Sequence, residues 1–353
     1  ASIFDAGIDV GFFRGRLNIT ADYFRRMRTG LPAARYDVLI PNEAGFSLPY
    51  ENLDSDMLQG YDISVTWNDN VAGFAYSIGA NMTYARRYQW DHYKPRYGNS
   101  WDQYRNGTEH RFDEIYWGYV TDGQFNSWEE IYDCPIDTDG KGNTTLRPGD
   151  IRYVDQNGDG VINDMDMRPI GYSPGVNVKD EYGLYIPPVL CFGLNFSAAY
   201  RGFDISLNLA GSAMSTYRPY WENLFPFYSD GVSPQYMMED SWHLADIWDA
   251  DSELIPGKYP MLLLGNDTHS NYWDNDFWII RVKYIKLRNF EFGYTFPEKW
   301  MKKAKIQSLR LYIGGQNLLT FSNLPDMDPE LTNSNGLGFP NTRVFNIGIN
   351  IKF

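Results

Sequence analysis

The chain has 353 residues, of which 43% are hydrophobic and 17% aromatic, and its formal net charge is −14. This acidic balance argues against nucleic acid as a partner, because neutralising phosphates requires lysine and arginine. No run approaches the roughly 18 apolar residues of a transmembrane helix. The first residues do not form a signal peptide, which leaves either a cytoplasmic chain or a piece of a longer one with its targeting sequence upstream. Cys134 and Cys191 leave one disulfide or two free thiols equally open.

Alternation of apolar and polar residues runs through the chain and predicts an all-β fold. Residues 17–23, 61–67 and 203–209 are clear examples, since a period of two gives each face of a sheet its own set of side chains. Several predicted strands match the roughly 9–11 residues of a tilted transmembrane strand. The nine predicted strands are about 3–13, 16–27, 57–68, 72–87, 189–200, 203–214, 279–296, 307–318 and 343–353.

The predicted connections alternate between short and long. Short turns are expected at Arg14–Gly15, at Asp69–Val71, at Arg201–Gly202 and around Pro297. Short turns at one end and long loops at the other are typical of a transmembrane antiparallel β-barrel with long extracellular loops. A soluble β-sandwich is the alternative, because its strands also alternate. The predicted extracellular loops are about 28–56, 88–188, 215–278 and 319–342.

The last predicted strand separates its two sets of side chains most clearly. Phe345, Ile347, Ile349, Ile351 and Phe353 are expected to face lipid, and the small or polar residues between them to face the lumen. An uneven phase in the seventh strand predicts a β-bulge near Arg288–Asn289. Nine strands cannot close an antiparallel barrel, because the first and last would run in the same direction. We therefore expect further strands outside residues 1–353.

Residues 155–166 have the spacing of a calcium-binding loop. Carboxylate, amide and backbone oxygens at alternating positions suit a hard cation, and a glycine at the sixth position allows the sharp turn. Calcium is expected as a structural ion, with magnesium as the alternative. An Asn/Asp/Gly turn without an ion is the simpler interpretation. The predicted ligands are Asp155, Asn157, Asp159, Val161 through its carbonyl, Asn163 and Asp166.

No catalytic constellation is recognisable, so an enzyme is not expected. Gly171–Gly175 has the letters of a hydrolase nucleophile elbow around Ser173. That elbow needs a backbone N–H on the residue after the serine, and Pro174 has none. The segment is therefore predicted to be a loop.

Four segments resemble the SusC/RagA group of TonB-dependent transporters, in the same order and spacing. The most specific is GGQNLLTF at residues 314–321, followed by DMDPE at 326–330. The others are PGDIRYVDQNGDGVI at 148–162, GYVTDGQF at 118–125, and LRN at 287–289 with GYTFP at 293–297. The strand-three entry departs from the family's Asn-Lys-Gly-x-Glu run, although Gly60 and an acidic residue at Asp62 remain.

The resemblance implies that residues 1–353 form about the last nine strands of a 22-stranded barrel in the outer membrane of a Gram-negative bacterium. It implies a plug domain and a TonB box outside this chain, contact with TonB through that missing part, and a SusD-like lipoprotein as partner. The implied function is active import of oligosaccharides or peptides, with the substrate-binding residues unknown. A passive substrate-specific porin and a non-transporting surface adhesin on a barrel are the alternatives.

Overall fold

A computed structural model describes residues 1–35, 37–38, 40–91, 93–112, 115–172, 188–231, 233–264, 268–302, 305–324, 327–330, 339 and 341–353. Antiparallel β-structure predominates. In chain order the strands are β1 (Ser2–Phe12), β2 (Leu17–Ala33), β3 (Glu51–Val71), β4 (Phe74–Asp91), β5 (Arg111–Phe112), β6 (Tyr116–Gly118), β7 (Thr121–Gln124), β8 (Ile151–Tyr153), β9 (Arg168–Gly171), β10 (Leu190–Tyr200), β11 (Phe203–Tyr217), β12 (His243–Leu244), β13 (Leu254–Ile255), β14 (Ile280–Thr295), β15 (Ser308–Ser322) and β16 (Val344–Lys352).

The helices are short and lie between strands. None of those in the described part of the chain is long and apolar enough to cross a membrane. Four are α-helical: α1 (Ser100–Asn106), α2 (Trp128–Tyr132), α3 (Gln235–Glu239) and α4 (Glu298–Met301). Single 3-10 turns occur at Asn42–Ala44, Asp164–Asp166, Trp221–Asn223, Tyr228–Asp230 and Ser270–Tyr272.

The nine longest strands form one antiparallel sheet, which we call the wall. Its order is β1-β2-β3-β4-β10-β11-β14-β15-β16, and β5 is attached to β4 beside this path. The prediction of nine long strands in sequential antiparallel order is therefore confirmed. β1 and β16 lie at the two ends of the order, and among the described residues they do not pair with each other.

The strands run further toward the long loops than their sequence pattern predicts. β2 continues to Ala33 and pairs with β3 from Glu51, so both edges of the predicted loop 28–56 are wrong. Charged residues interrupt the apolar alternation here, so the sequence does not predict the extension. In the structure the charges pair across the two strands, and Arg28 Nε donates to Asp56 at 2.8 Å. The other predicted loops also begin too early, because β4, β11 and β15 continue into them.

The short turns lie at the opposite end of the wall. Arg201 and Gly202 form the predicted turn, with φ of 49° and 91°. The predicted turn at Asp69–Val71 is wrong, since these residues pair with β4 and the turn is Ala72–Gly73. Both turn residues have positive φ, 52° and 85°, as a two-residue hairpin turn that follows strand twist requires.

The predicted bulge in β14 is confirmed. Asn208 of β11 pairs with Asn289 and the next residue, Leu209, pairs with Leu287. Arg288 is therefore the extra residue, and the ladder to β15 shifts at the same point. The extra residue reverses the phase of β14, so its two halves present apolar residues to the same face.

The register divides the wall into an apolar and a polar face. Ile347 pairs with Ile313 and Ile349 with Leu311, which confirms that the apolar residues of the last strand share one face. Ile347 is 87% exposed. Tyr61, Ile63 and Val65 lie on this face too, and pair with Tyr23, Ala21 and Ile19. A soluble sandwich would bury this set, so its exposure counts against that alternative.

Two rows of aromatic rings border the apolar face. The row near the long loops joins Phe4, Tyr23, Tyr61 and Tyr84, with centroids 6.3, 5.3 and 6.4 Å apart. The row near the short turns includes Phe13–Trp67 at 5.8 Å, Phe74–Tyr200 at 6.2 Å and Phe203–Tyr294 at 4.5 Å. Along β3 the rows are about 20 Å apart, at roughly 3.3 Å per residue. Aromatic girdles of this kind flank the lipid-facing band of membrane barrels.

Candidate functional site

The long connections pack into a compact body of their own, which we call the loop unit (residues 115–172, 218–231, 233–264 and 268–279). Its core contains residues far from one another in sequence, including Ile151 and Leu224, both fully buried. Aromatic rings account for much of this packing: Trp273 stacks on Tyr153 at 5.7 Å, and Tyr259 on Trp278 at 5.8 Å. The core residues are Tyr119, Ile151, Tyr153, Ile162, Leu224, Phe225, Met237, Tyr272 and Trp278.

A buried polar network joins the two segments of the loop unit. Asn271 Nδ2 donates to Asp150 at 2.7 Å, and Asn271 Oδ1 accepts from the Ile151 N–H at 2.8 Å. His269 approaches the other Asp150 oxygen at 3.7 Å. Burial raises the pKa of the Asp150 carboxyl, although the hydrogen bond from Asn271 works in the opposite direction. These residues fix the loop unit in one arrangement, and sequence periodicity gave no sign of them.

The predicted calcium ligands lie on one tight loop. Asp155 accepts the N–H groups of Gly158 and Gly160 at 2.6 and 2.7 Å. Asn157 and Asn163 both donate to Asp159 Oδ2, at 2.9 and 3.2 Å. The hydrogen bond from Gly160 is the main reason that the pKa of Asp155 is lowered. Three of the six predicted ligands, Asn157, Asp159 and Asn163, are thus joined by side-chain hydrogen bonds, and Asp155 binds the backbone of the same loop.

The other two predicted ligands extend the same loop. Val161 directs its carbonyl toward the Asn163 amide, 3.4 Å away. Asp166 is fully buried, and its two oxygens accept the N–H groups of Gln156 and Asn163 at 2.8 and 2.9 Å. Among the described residues, the carboxylates of the loop do not form a group of three within 4.8 Å. Asp166 therefore organises the backbone of the loop in this conformation.

The calcium-type loop is also attached to a second acidic turn. Asp137 donates its N–H to Gly160 at 2.8 Å and accepts the N–H of Ile162 at 3.0 Å. In that turn Asp139 accepts N–H bonds from Lys141, Asn143 and Thr145. The donor set of residues 155–166 is oxygen-rich and suits Ca²⁺.

On the polar face of the wall, charged residues form ion pairs between strands. Arg310 Nε donates to Asp204 at 3.0 Å, and a second nitrogen bonds Glu291 at 2.6 Å. Nearer the loops, Lys286 is 1% exposed and binds both Asp328 and Glu330, the latter at 3.1 Å. Asp328 and Glu330 of the DMDPE segment are therefore anchored to β14 through charge.

The loop unit contains an open cavity of about 1000 Å³. It lies between the two segments and is lined by Trp128, Arg147, Leu244, Leu263 and His269 among others. Trp128 stacks on Tyr132, which is 78% exposed. Flat rings beside a polar rim can contact sugar rings or peptide side chains alike.

Other sequence predictions have simple outcomes. Cys134 and Cys191 are both free thiols. Ser173, Pro174 and Gly175 lie outside the described residues, and so does part of the predicted loop 319–342.

The chain is similar to TonB-dependent receptors over nearly its whole length. It is 25% identical to TonB-dependent receptor P3 of Formosa agariphila, over 99% of this chain and 34% of that protein. It is also 25% identical to receptor P39 of the same organism, over 98% of this chain and 35% of that protein. The predicted resemblance to TonB-dependent receptors is confirmed. No family model matches the chain.

Solved structures of the RagAB peptide importer have the same fold. The RagAB peptide importer in its open-open state superposes with a TM-score of 0.65 and 17% identity, over 99% of this chain and 34% of that one. Another RagAB structure gives 0.61 and 18% identity, over 99% and 35%. The wall thus has the fold of the antiparallel sheet in these structures, and the chain spans about a third of the length of the relatives it matches.

Proposed function

We propose that this chain is part of an outer-membrane transporter that imports oligosaccharides or peptides with energy delivered through TonB. The observation that carries the proposal is the two-faced wall, with an exposed apolar face between two aromatic rows and a polar face of paired charges. The similar proteins support the energy source, since they are named TonB-dependent receptors. RagAB is a peptide importer, which makes peptides the first class to test.

We also propose that a SusD-like lipoprotein covers the loop unit of the complete transporter. The loop unit has the packed core that a stable partner surface needs, and the cavity between its segments offers apolar and polar groups to cargo. The function proposed for these groups is binding and transport. The remaining barrel, the plug and the TonB contact belong to the same proposal.

Uptake measurements on cells that carry the complete protein test the import proposal. Labelled peptides and oligosaccharides should accumulate, and accumulation should stop when the proton motive force is collapsed or TonB is deleted. Uptake that continues without energy would instead identify a passive porin. Surface binding without uptake would identify an adhesin.

We further propose that residues 155–166 bind calcium as a structural ion of the loop unit. Gly158 and Gly160, with φ of 76° and 82°, give the loop the turns that such sites need. Asp155, Asn157, Asp159 and Val161 would supply oxygens to the ion, Asn163 would act directly or through water, and Asp166 would complete the site. The ion would neutralise carboxylates that otherwise repel one another.

Thermal unfolding in calcium and in a chelator tests this site. Calcium at about 100 times its dissociation constant should stabilise the protein by roughly 2.7 kcal/mol. Asp159→Asn should remove most of that gain, whereas Asp122→Asn, at an exposed carboxylate elsewhere in the loop unit, should keep it. Equal calcium responses in both variants would contradict the assignment.

A further inference from the structure

A second group of metal-binding side chains lies where the wall gives way to its longest loop. Asp91 is the last residue of β4, and Glu109 and His110 directly precede β5. β5 pairs with β4 through Phe112–Tyr88 and Arg111–Gln89, so continuing this register brings Glu109 opposite Asp91. One ligand atom from each of Asp91, Glu109 and His110 lies within 4.8 Å of the other two.

Neighbouring residues hold two of the three side chains in place. The His110 ring meets the edge of the Trp90 ring at 87° with a centroid distance of 5.6 Å. The Asp91 N–H donates to Ser55 Oγ at 3.1 Å, and this hydroxyl also contacts Asp91 Oδ2 at 3.4 Å. Their arrangement therefore depends on β3 and β4 and does not require an ion to form.

Asp91 and Glu109 bring two carboxylates close together beside β5. Across paired strands, directly opposed like charges are destabilising. Within the described residues, neither Asp91 nor Glu109 forms an ion pair with lysine or arginine. The nearby Arg111 instead donates to the carbonyls of Tyr104 and Arg105, at 2.6 and 3.3 Å. A bound cation would offset the repulsion between the two carboxylates.

We propose that Asp91, Glu109 and His110 bind a divalent transition-metal ion, with zinc as the representative. An imidazole nitrogen with two carboxylate oxygens suits zinc and its neighbours in the first row, whereas calcium prefers oxygen alone. All three side chains are exposed, so water would occupy the open position. The inference rests on this local geometry and is independent of the proposed transport function.

The ion would link the end of β4 to the longest loop. β5 has only two residues and two register pairs with β4, and so short a strand is marginal without other contacts. Because Asp91 ends β4 and Glu109 and His110 precede β5, an ion bound to all three would stabilise the pairing of the two strands. Zinc binding should therefore slow amide hydrogen exchange at Arg111 and Phe112.

Zinc titration of the complete protein in detergent tests the proposal. After treatment with a chelator, we expect one zinc per chain at this group, at least about tenfold weaker binding in His110→Ala and in Asp91→Asn, and anomalous scattering from zinc beside His110. His243→Ala, at an exposed histidine of the other loop segment, should bind zinc as the unsubstituted protein does. Asp159→Asn should also leave zinc binding unchanged, which separates this site from the calcium-type loop.

Two results would overturn the proposal. One is zinc affinity that is the same in His110→Ala and in the unsubstituted protein. The other is zinc binding that leaves the exchange of Arg111 and Phe112 unchanged. Since the three side chains are exposed, these variants should fold, and unchanged circular dichroism would verify this.

Discussion

Ile347 in the wall is 87% exposed, whereas Ile151 in the loop unit is fully buried, and each isoleucine is typical of its region. The loop unit encloses its apolar side chains in a core, as a water-soluble domain does. The wall holds its strands by backbone pairing and turns its apolar side chains outward. The comparison indicates that the two regions of the chain suit different surroundings, lipid for the wall and water for the loop unit.

The largest effect is expected at Lys286 of the wall, which pairs with the segment at 327–330. Lys286→Met removes the cation from Asp328, and breaking a buried ion pair in this way costs about 3–5 kcal/mol. We expect the segment at 327–330 to detach from β14, measured as faster proteolysis and earlier unfolding in urea. Arg16→Met breaks an exposed pair with Asp69 in the wall, and should change stability by less than about 1 kcal/mol. Similar losses in both variants would show that the Lys286 contact is not a buried anchor.

Truncation in the loop core should affect the loop unit alone. Ile151→Ala leaves a cavity in a packed core, and such changes cost about 2–5 kcal/mol. Amide exchange in the loop unit should accelerate, while the folded wall keeps its heat-modifiable migration in electrophoresis. Ile347→Ala, the matched truncation on the exposed face, should leave exchange in the loop unit unchanged. A response to both would mean that the two regions unfold together.

The orientation of the wall is tested by two adjacent residues of β16. Arginine on the lipid face near the middle of the bilayer costs roughly 2–4 kcal/mol, whereas substitutions on the lumen side mainly alter selectivity. Ile349→Arg should therefore impair membrane assembly, and Asn350→Arg should not, as measured by folded protein in isolated outer membranes. Failure of Asn350→Arg alone would reverse the two faces.

The smallest effect is expected at the short turns. Gly202 and Gly15 both have positive φ, and an L-residue in that region costs roughly 1–2 kcal/mol. An alanine Cβ at Gly202 would also approach the Thr295 carbonyl oxygen to 2.6 Å, whereas at Gly15 it would meet nothing within 4 Å. Gly202→Ala should therefore lower the unfolding temperature more than Gly15→Ala. Equal losses would show that strain alone determines the cost.

The sequence predicted the wall well because lipid exposure leaves a periodic pattern. Alternation marked β3 and β16, and the phase reversal at Arg288 revealed the bulge. The predicted strands ended too early at Arg28 and Asp56. Charged residues in a sequence suggest a loop, and the sequence alone does not show that these two pair across strands. The turn after β3 was misplaced for a similar reason, since Asp69 and Asn70 are typical turn residues yet pair with β4 here.

The loop unit was much less predictable. Its core joins Ile151 to Leu224 and Tyr272, and such distant contacts have no period in the sequence. The spacing of residues 155–166 was recognisable because calcium-type loops are local. Asp91, Glu109 and His110 could not be grouped in advance, because only the pairing of β5 with β4 brings them together.

The bulge at Arg288 has a consequence for how this strand tolerates changes in length. Elsewhere in β14, loss of a single residue would turn every following side chain to the opposite face, with apolar groups in the lumen and charges in lipid. Loss of Arg288 alone would leave the side chains of Leu287 and Asn289 on their present faces. These two residues already pair with Leu209 and Asn208, which are adjacent in β11. The strand therefore contains one position at which a codon can be deleted without inverting the wall.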